Sequence, residues 1–592
     1  MTTSIKRQYT DFAGVDFKNN ESLVNLNRSP DALNIYKDYQ AEGICIQTRP
    51  GFRKIGTIGE KINGMYVYNK TKAIVHSKNK LILWTNFPDT PVTQVLKDDM
   101  NDTRTSFFTS NDKLYINDGL HYLVYDGGLR DASEDAFIPT TTISRSPSGG
   151  GEEYQDINVL SPYRKNQFCA DGTSKDYYVD AEGIDEVKTV WVNDKVVTDY
   201  TVSLELGKIT FNTAPTKPVL DGQDNVVILF KKEIAEYKDR INKCSISLSF
   251  DKRAFFSGNI SYPNAIFHSE LNNPTYISDL SYYQDGSSDS AIKDMCVGNN
   301  ILWVFKQSNQ NGGTIFYHIP TNDSLLGQIY PSKQGNVSTG CYAKCINFYD
   351  DIVFLSREGL EGITGNIDEE QLLSHRSSMI DNKLINENNY RDSQLVEWRG
   401  YLLISVDNYV FLADSRQKFE GINGIEYEWY YWNISKAKPS LIKEYDDDLY
   451  IGSTNGDIYI VDGTNDNGEV IESYWTTPMD SFGYSNMLKT TNKRGGVAKI
   501  KTIPNGVIKI AERTNKRDMR DITSKSLNGF KYDQFTYNNF SYVAKNDTHI
   551  VYKIKEKKFI EISMKFFSDE LDKPFGLYGA TLEAFVGGYV KR

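Results

Sequence analysis

From about residue 62 the chain repeats one pattern: an alternating apolar strand, a tight polar turn, a second such strand, and often a third. Segments 62–86 and 104–128 show it first. Further units begin at Cys244, Ile292, Asn347, Gln394 and Leu441. Asn111-Asp112, Asn299-Asn300, Asp350-Asp351, Asp407-Asn408 and Asn455-Gly456 supply hairpin turns between the strands. Strand units recurring at roughly 40–50 residues predict the blades of a β-propeller, whose radial closure protects sheet edges. Some of the seven candidate units could be half-blades, so six or seven blades are expected. The period is irregular, and a stack of unrelated β-sandwiches is the plainer alternative.

The repeat is interrupted over 146–236. SRSPSGGGEE, from Ser144, is expected to be a flexible linker. Beyond it, 187–192, 201–204, 208–212 and 225–231 alternate as strands of a small antiparallel sandwich. An insertion through a surface loop costs little closure entropy, so bridging Pro147 to Tyr237 is expected to leave a folded propeller. One helix is expected over 367–389, with acidic residues at its start and an apolar stripe of Leu372, Leu373, Met379, Ile380, Leu384 and Ile385. After Ser473 the pattern changes to strands joined by Lys-Arg-Gly-Gly and Pro-Asn-Gly turns, which predicts a second sandwich. The expected all-β division is therefore an N-terminal arm with a short helix (1–55), propeller (56–145), inserted sandwich (146–236), propeller (237–472) and C-terminal sandwich (473–592).

Ahead of the first repeat lies DFAGVDFKNNESLVNLNRSPDALNIYKDYQAEGICIQTRPGF, residues 11–52. Ser29 and Pro30 suit the cap and first position of a helix over 31–39, with Leu33 and Tyr36 on one face. Composition alone describes an ordinary cap on a β domain. The order Gly14-Val15, Pro30-Asp31-Ala32-Leu33-Asn34 and Arg49-Pro50-Gly51 resembles the N-terminus of tail nozzle proteins of short-tailed phages, also called tail tubular or packaged-DNA stabilisation proteins. The likeness extends more weakly through the propeller-like middle to the C-terminal Gly-Gly-Tyr-Val-Lys-Arg.

That resemblance implies a structural virion protein of the phage tail, made in the host bacterial cytoplasm. It implies a homo-oligomeric ring of about six copies, beneath a portal-adaptor protein and beside other tail or fibre proteins. Double-stranded DNA would be retained by the ring, then pass through its lumen without sequence recognition at genome ejection. Gly14, Val15, Pro30, Asp31, Leu33, Asn34, Arg49, Pro50 and Gly51 are the residues expected to serve assembly.

Composition narrows the chemistry. The net charge of −11 over 592 residues gives no basic field to draw the protein onto nucleic acid. An acidic wall would suit a channel that DNA crosses, although mild acidity is also ordinary for a soluble bacterial or phage protein. With 39 Tyr and 29 Phe against 17 Pro, composition favours strands and turns over helices. The six cysteines are scattered, without partners at zinc spacing, and read as small buried thiols rather than a disulfide frame or metal site. The start MTTSIKRQYTDF lacks an apolar signal core, and no window is long and apolar enough to span a membrane.

No catalytic constellation is legible. The six histidines form no His-Glu-x-x-His motif and show no close carboxylate motif; no nucleophile elbow or phosphate-binding loop occurs. Asp446-Asp447-Asp448 and Glu152-Glu153 read as solvated turns and linkers rather than cation sites. The basic run from Arg513 to Arg520 reads as an exposed hairpin rather than a phosphate contact. The expectation is a protein that is not an enzyme and needs no cofactor. The alternative is a carbohydrate-active or glycan-binding propeller of a phage tail, whose carboxylates would converge from different blades.

Overall fold

The computed structural model describes residues 3–39, 43–308, 312–324, 327–335, 339–363, 373–421, 424–493, 495–526 and 549–590. The fold is of the β-propeller class: the described residues form seven four-stranded antiparallel sheets, with one β-sandwich inserted and another formed near the C-terminus. The seven predicted units are these seven blades, and each gains a fourth strand that the sequence pattern did not mark. In the sixth blade, Gln394–Trp398, Tyr401–Val406 and Tyr409–Gly421 are joined by Gly424–Asn433. The seventh blade takes its fourth strand from far upstream: Arg53–Thr57 pairs with Asp457–Ile460, Ile458 opposite Gly56. Turn chemistry sets the hairpins, with Asn111, Asp112, Asn299 and Asn300 all left-handed, φ between 50° and 60°. At the fifth blade the turn is Tyr349-Asp350, one residue before the expected pair, and Asp351 opens the next strand.

Two compact units divide the chain. The first holds 1–77, 82–94 and 341–592. Here the innermost strand of the seventh blade, Pro439–Tyr445, packs between Gln394–Trp398 and Ile62–Asn69. The second unit holds 78–81 and 95–340. In it Ile246–Phe250 packs between Ser106–Ser110 and Ile292–Gly298. The inserted sandwich, also in this unit, has a six-stranded and a three-stranded sheet around Phe168, Tyr177, Ile209, Ile228 and Phe230. Its first strand is Thr140–Arg145, so the insertion begins before SRSPSGGGEE. That stretch is a hairpin within the sheet and not a linker, because Thr140–Arg145 pairs with both Glu152–Glu153 and Tyr163–Phe168.

The C-terminal sandwich is not contiguous in sequence. Its long last strand, Gly576–Tyr589, pairs with Thr3–Tyr9, Cys45–Thr48, Met487–Thr491 and Gly496–Ile500. Its other sheet runs from Asp31–Leu33 through Ser473–Thr476, Ile562–Ser568 and Val507–Thr514 to Arg517–Ser526. The expected helix over 31–39 is therefore absent: Asp31–Leu33 and Ile35–Asp38 are strands broken at Asn34, φ 54°. So short a helix is marginal on its own, and backbone pairing from distant strands wins. Ser29 is no helix cap: its Oγ donates to the Thr476 carbonyl at 2.7 Å. The helix expected over 367–389 is also corrected. Residues 367–372 lie outside the described residues; beyond them Leu373–His375 is the fourth strand of the fifth blade and Asp381–Leu384 a single helical turn.

Candidate functional site

The nine residues expected to serve assembly fall in one connected part of the first unit. Gly14, Val15, Asn34, Arg49 and Gly51 are buried, Pro30, Leu33 and Pro50 half-buried, and Asp31 exposed. The chain binds them itself, along the sixth-blade strand Gly424–Asn433 and the segment 462–476. That strand carries Trp429-Tyr430-Tyr431-Trp432, whose alternate members face opposite sides. Tyr430 Oη donates to the Phe12 carbonyl at 3.1 Å and Trp432 Nε1 to the Ile35 carbonyl at 2.9 Å.

Gly14 has φ 82°, and a Cβ there would sit 2.4 Å from the Trp429 carbonyl oxygen. The next amide, Val15 N–H, donates to that same oxygen at 2.8 Å. A side chain at Gly14 would thus meet both backbone strain and the strand itself. Gly51 is tighter in space: its Cβ would fall 1.9 Å from the Asn465 carbonyl oxygen.

Arg49 gathers the loops around it. Nη1 and Nη2 donate to Asp466 Oδ1 and Oδ2 at 2.9 and 2.7 Å. Nη1 also reaches the Pro50 carbonyl (2.9 Å), Nη2 the Asn433 carbonyl (2.8 Å), and Nε the Asn34 side chain (3.0 Å). All five guanidinium donors are used, with 1% of the Arg49 side chain and 2% of Asp466 exposed. Asn34 Oδ1 also accepts from Asn433 N, and its Nδ2 donates to the Glu472 carbonyl. Asp31 Oδ1 accepts from Tyr474 Oη at 3.1 Å, and Leu33 pairs with Tyr474 across the sheet. This arrangement locks an N-terminal strand system onto a blade and a sandwich at once.

The partners Trp429, Asn433, Asp466 and Glu472 escaped sequence reasoning. Only the Trp-Tyr-Tyr-Trp run carried a signal, as a strand with two large apolar faces. The basic run from Arg513 to Arg520 is a hairpin, and Arg513, Arg517 and Arg520 pair with Glu21, Glu556 and Glu512. Asp446 and Asp447 form a left-handed turn between strands, and Glu152 and Glu153 are exposed.

His121, His318 and His375 do meet carboxylates: Asp118 lies only three residues before His121, 3.1 Å from its Nδ1, while sequence spacing hid the partners of the other two. His375 lies between Glu361 Oε1 (2.9 Å) and Asp381 Oδ2 (2.7 Å). Burial alone would lower its pKa, but those two partners outweigh it and lift the imidazole to about 10. His318 is buried between Asp285 Oδ2 (3.0 Å) and the Tyr330 carbonyl (2.8 Å). Ser332 donates to the other Asp285 oxygen, so the serine bonds the acid and not the imidazole. A relay that activates a serine needs the serine on the histidine. Among the described residues no group of three or more His, Cys, Asp or Glu forms a metal-binding set, and no helix is long and apolar enough to cross a membrane.

No family model matches the chain, and no curated protein matches it. Solved structures resemble it distantly. BamB from Moraxella catarrhalis is 10% identical, covering 73% of this chain and 96% of its own, with a TM-score of 0.30. Hsv2 of Kluyveromyces lactis is 8% identical, covering 62% and 98%, with a TM-score of 0.24. An exo-β-1,3-galactanase from Phanerochaete chrysosporium is 10% identical, covering 57% and 95%, with a TM-score of 0.18. Likenesses this weak carry no functional argument.

Proposed function

We propose that this chain is a structural virion protein, the tail nozzle of a short-tailed phage, which retains packaged DNA and provides the path for its ejection. The carrying observation is the buried junction around Arg49. The stretch that resembles nozzle proteins supplies strands to both sheets of the C-terminal sandwich, and Arg53–Thr57, directly after it, completes the seventh blade. A ring under load from a packed genome needs its parts tied by pairing and buried ion pairs rather than by linkers. In this reading the function is steric and mechanical, the protein is not an enzyme, and its copies close into a ring of about six under a portal adaptor.

The nine junction residues then serve assembly indirectly, by fixing the subunit's shape; exposed surface makes the contacts between copies. Native mass spectrometry of the purified full-length chain, alone and with the adaptor, tests the ring: a closed oligomer is expected, and monomer under both conditions overturns it. In a phage lacking the gene, filled heads should lose DNA to a nuclease challenge. Stable, nuclease-resistant, infectious particles overturn the nozzle reading.

A further inference from the structure

In the second unit the inserted sandwich lines a cleft of about 760 Å³ with residues 279–280 of the third blade, within the usual size of ligand sites. Its floor holds two buried arginines. Arg145 is 8% exposed; its Nη2 donates to the Tyr178 carbonyl at 3.1 Å, while Nε has no partner. The loop closes down on it: at Gly151 (φ 95°) a Cβ would lie 2.5 Å from Arg145 Cγ. Arg164 is 7% exposed, and its Nε is 3.2 Å from Asp180 Oδ1, an ion pair without hydrogen-bond alignment. Thr142 Oγ1, on the same wall, is buried without a partner too.

Buried donors without acceptors are costly in a folded protein, and here the Nε of each of two guanidinium groups lining one open cleft is such a donor. Guanidinium groups are matched to carboxylate and phosphate. The rest of the lining separates the two. Five carboxylates share the cleft, Asp156, Asp180 and Asp279 among them. They would repel a dense polyanion such as nucleic acid, yet they accept hydrogen bonds from hydroxyls. Tyr154, 63% exposed on the same lining, offers an aromatic face. We infer that this cleft binds a carboxylated sugar unit of a glycan, with the carboxylate on Arg145 and Arg164, hydroxyls on the acidic side chains and a ring face on Tyr154. This binding does not depend on the nozzle reading.

The test uses the full-length protein and isothermal titration with oligosaccharides ending in glucuronate, galacturonate or a sialic acid, beside a neutral oligosaccharide and inorganic phosphate. At least one acidic sugar should bind in the millimolar range or better, with the neutral sugar and phosphate at least about tenfold weaker. Arg145→Gln and Arg164→Gln should each weaken binding by about tenfold or more. Tyr154→Ala, at an exposed position that leaves folding intact, should weaken it several-fold. No binding by any acidic sugar, equal binding of the neutral sugar or of phosphate, or full affinity in the Tyr154→Ala protein overturns the assignment.

Discussion

Arg49 and Asp466, 417 positions apart in the chain, meet in a bidentate ion pair with almost no solvent exposure. Removing one partner of such a pair leaves an uncompensated buried charge, at a cost of about 3–5 kcal/mol. Asp466→Ala and Arg49→Ala should each lower the unfolding free energy of the first unit, read from urea titrations, by that order. Arg49→Lys should fail to rescue, because an ammonium cannot span both oxygens and the Asn34 and Asn433 acceptors. The double change to Met and Leu should cost less than the sum of the single changes. Equal stability of the Arg49→Lys protein would refute this account. These effects are on folding, not on a surface between copies.

Gly14→Val should destabilise the first unit by on the order of 3 kcal/mol or more, since a left-handed backbone and contact with Trp429 act together. Gly463 is the control: its φ is 90°, but nothing lies within 4 Å of the added carbon. Gly463→Ala should therefore show only the backbone cost, about 1 kcal/mol. Thermal melts of both proteins give the comparison, and equal shifts would remove the Trp429 contact from the account.

His375 makes stability fall at alkaline pH. Its pKa is about 10 folded against about 6.5 unfolded. The folded state thus binds the extra proton between these values, and stability falls as pH rises across that window. The contribution is complete below the unfolded pKa and gone above the folded one. Hydrogen exchange in the fifth blade should accelerate as pH rises, beyond its intrinsic pH dependence, and His375→Gln should flatten that excess. A wild-type profile as flat as the variant's would contradict the paired geometry.

His268 has the opposite sign. Burial is the main cause, and it brings the imidazole down to about 4 despite the Ser269 carbonyl 3.2 Å from Nδ1. Between about 6.5 and 4 the unfolded chain binds more protons, so the second unit loses stability as pH falls through that window. His268→Phe keeps a ring against Tyr283 and Tyr330 and should reduce this acid sensitivity. The readout is the slope of melting temperature against pH in wild type and variant.

The insertion should be removable, but not by bridging Pro147 to Tyr237. That cut takes out Val159 and Leu160, which belong to the core of the second and third blades. It also removes Asn158, whose Nδ2 donates to the Phe137 and Thr275 carbonyls. Lys232 N–H donates to the Pro162 carbonyl at 2.8 Å, so joining those two residues through a short Gly turn and omitting 163–231 should leave soluble protein with folded blades. The longer excision should be insoluble or molten by circular dichroism; a well-folded product from it would assign Val159 and Leu160 to the sandwich alone.

The sequence by itself determined what depends on neighbours along the chain. Strand alternation has period two, and Asn and Asp tolerate left-handed turns, so Asn111-Asp112 and Asn299-Asn300 marked their hairpins and all seven blades were legible as two- or three-stranded units. Four strands of the insertion, expected over 187–192, 201–204, 208–212 and 225–231, were legible for the same reason. Tertiary structure decided everything set by pairing at a distance. Asp31–Leu33 is a strand because Ser473–Thr476 offers its edge, and Arg53–Thr57 completes a blade begun at Pro439. His375 takes its charge state from Glu361 and Asp381, which only the return of the blade's fourth strand brings to its two ring nitrogens. Arg49 carries no local mark of Asp466, because hydrogen bonding and burial depend on separation in space, while a sequence pattern records separation along the chain.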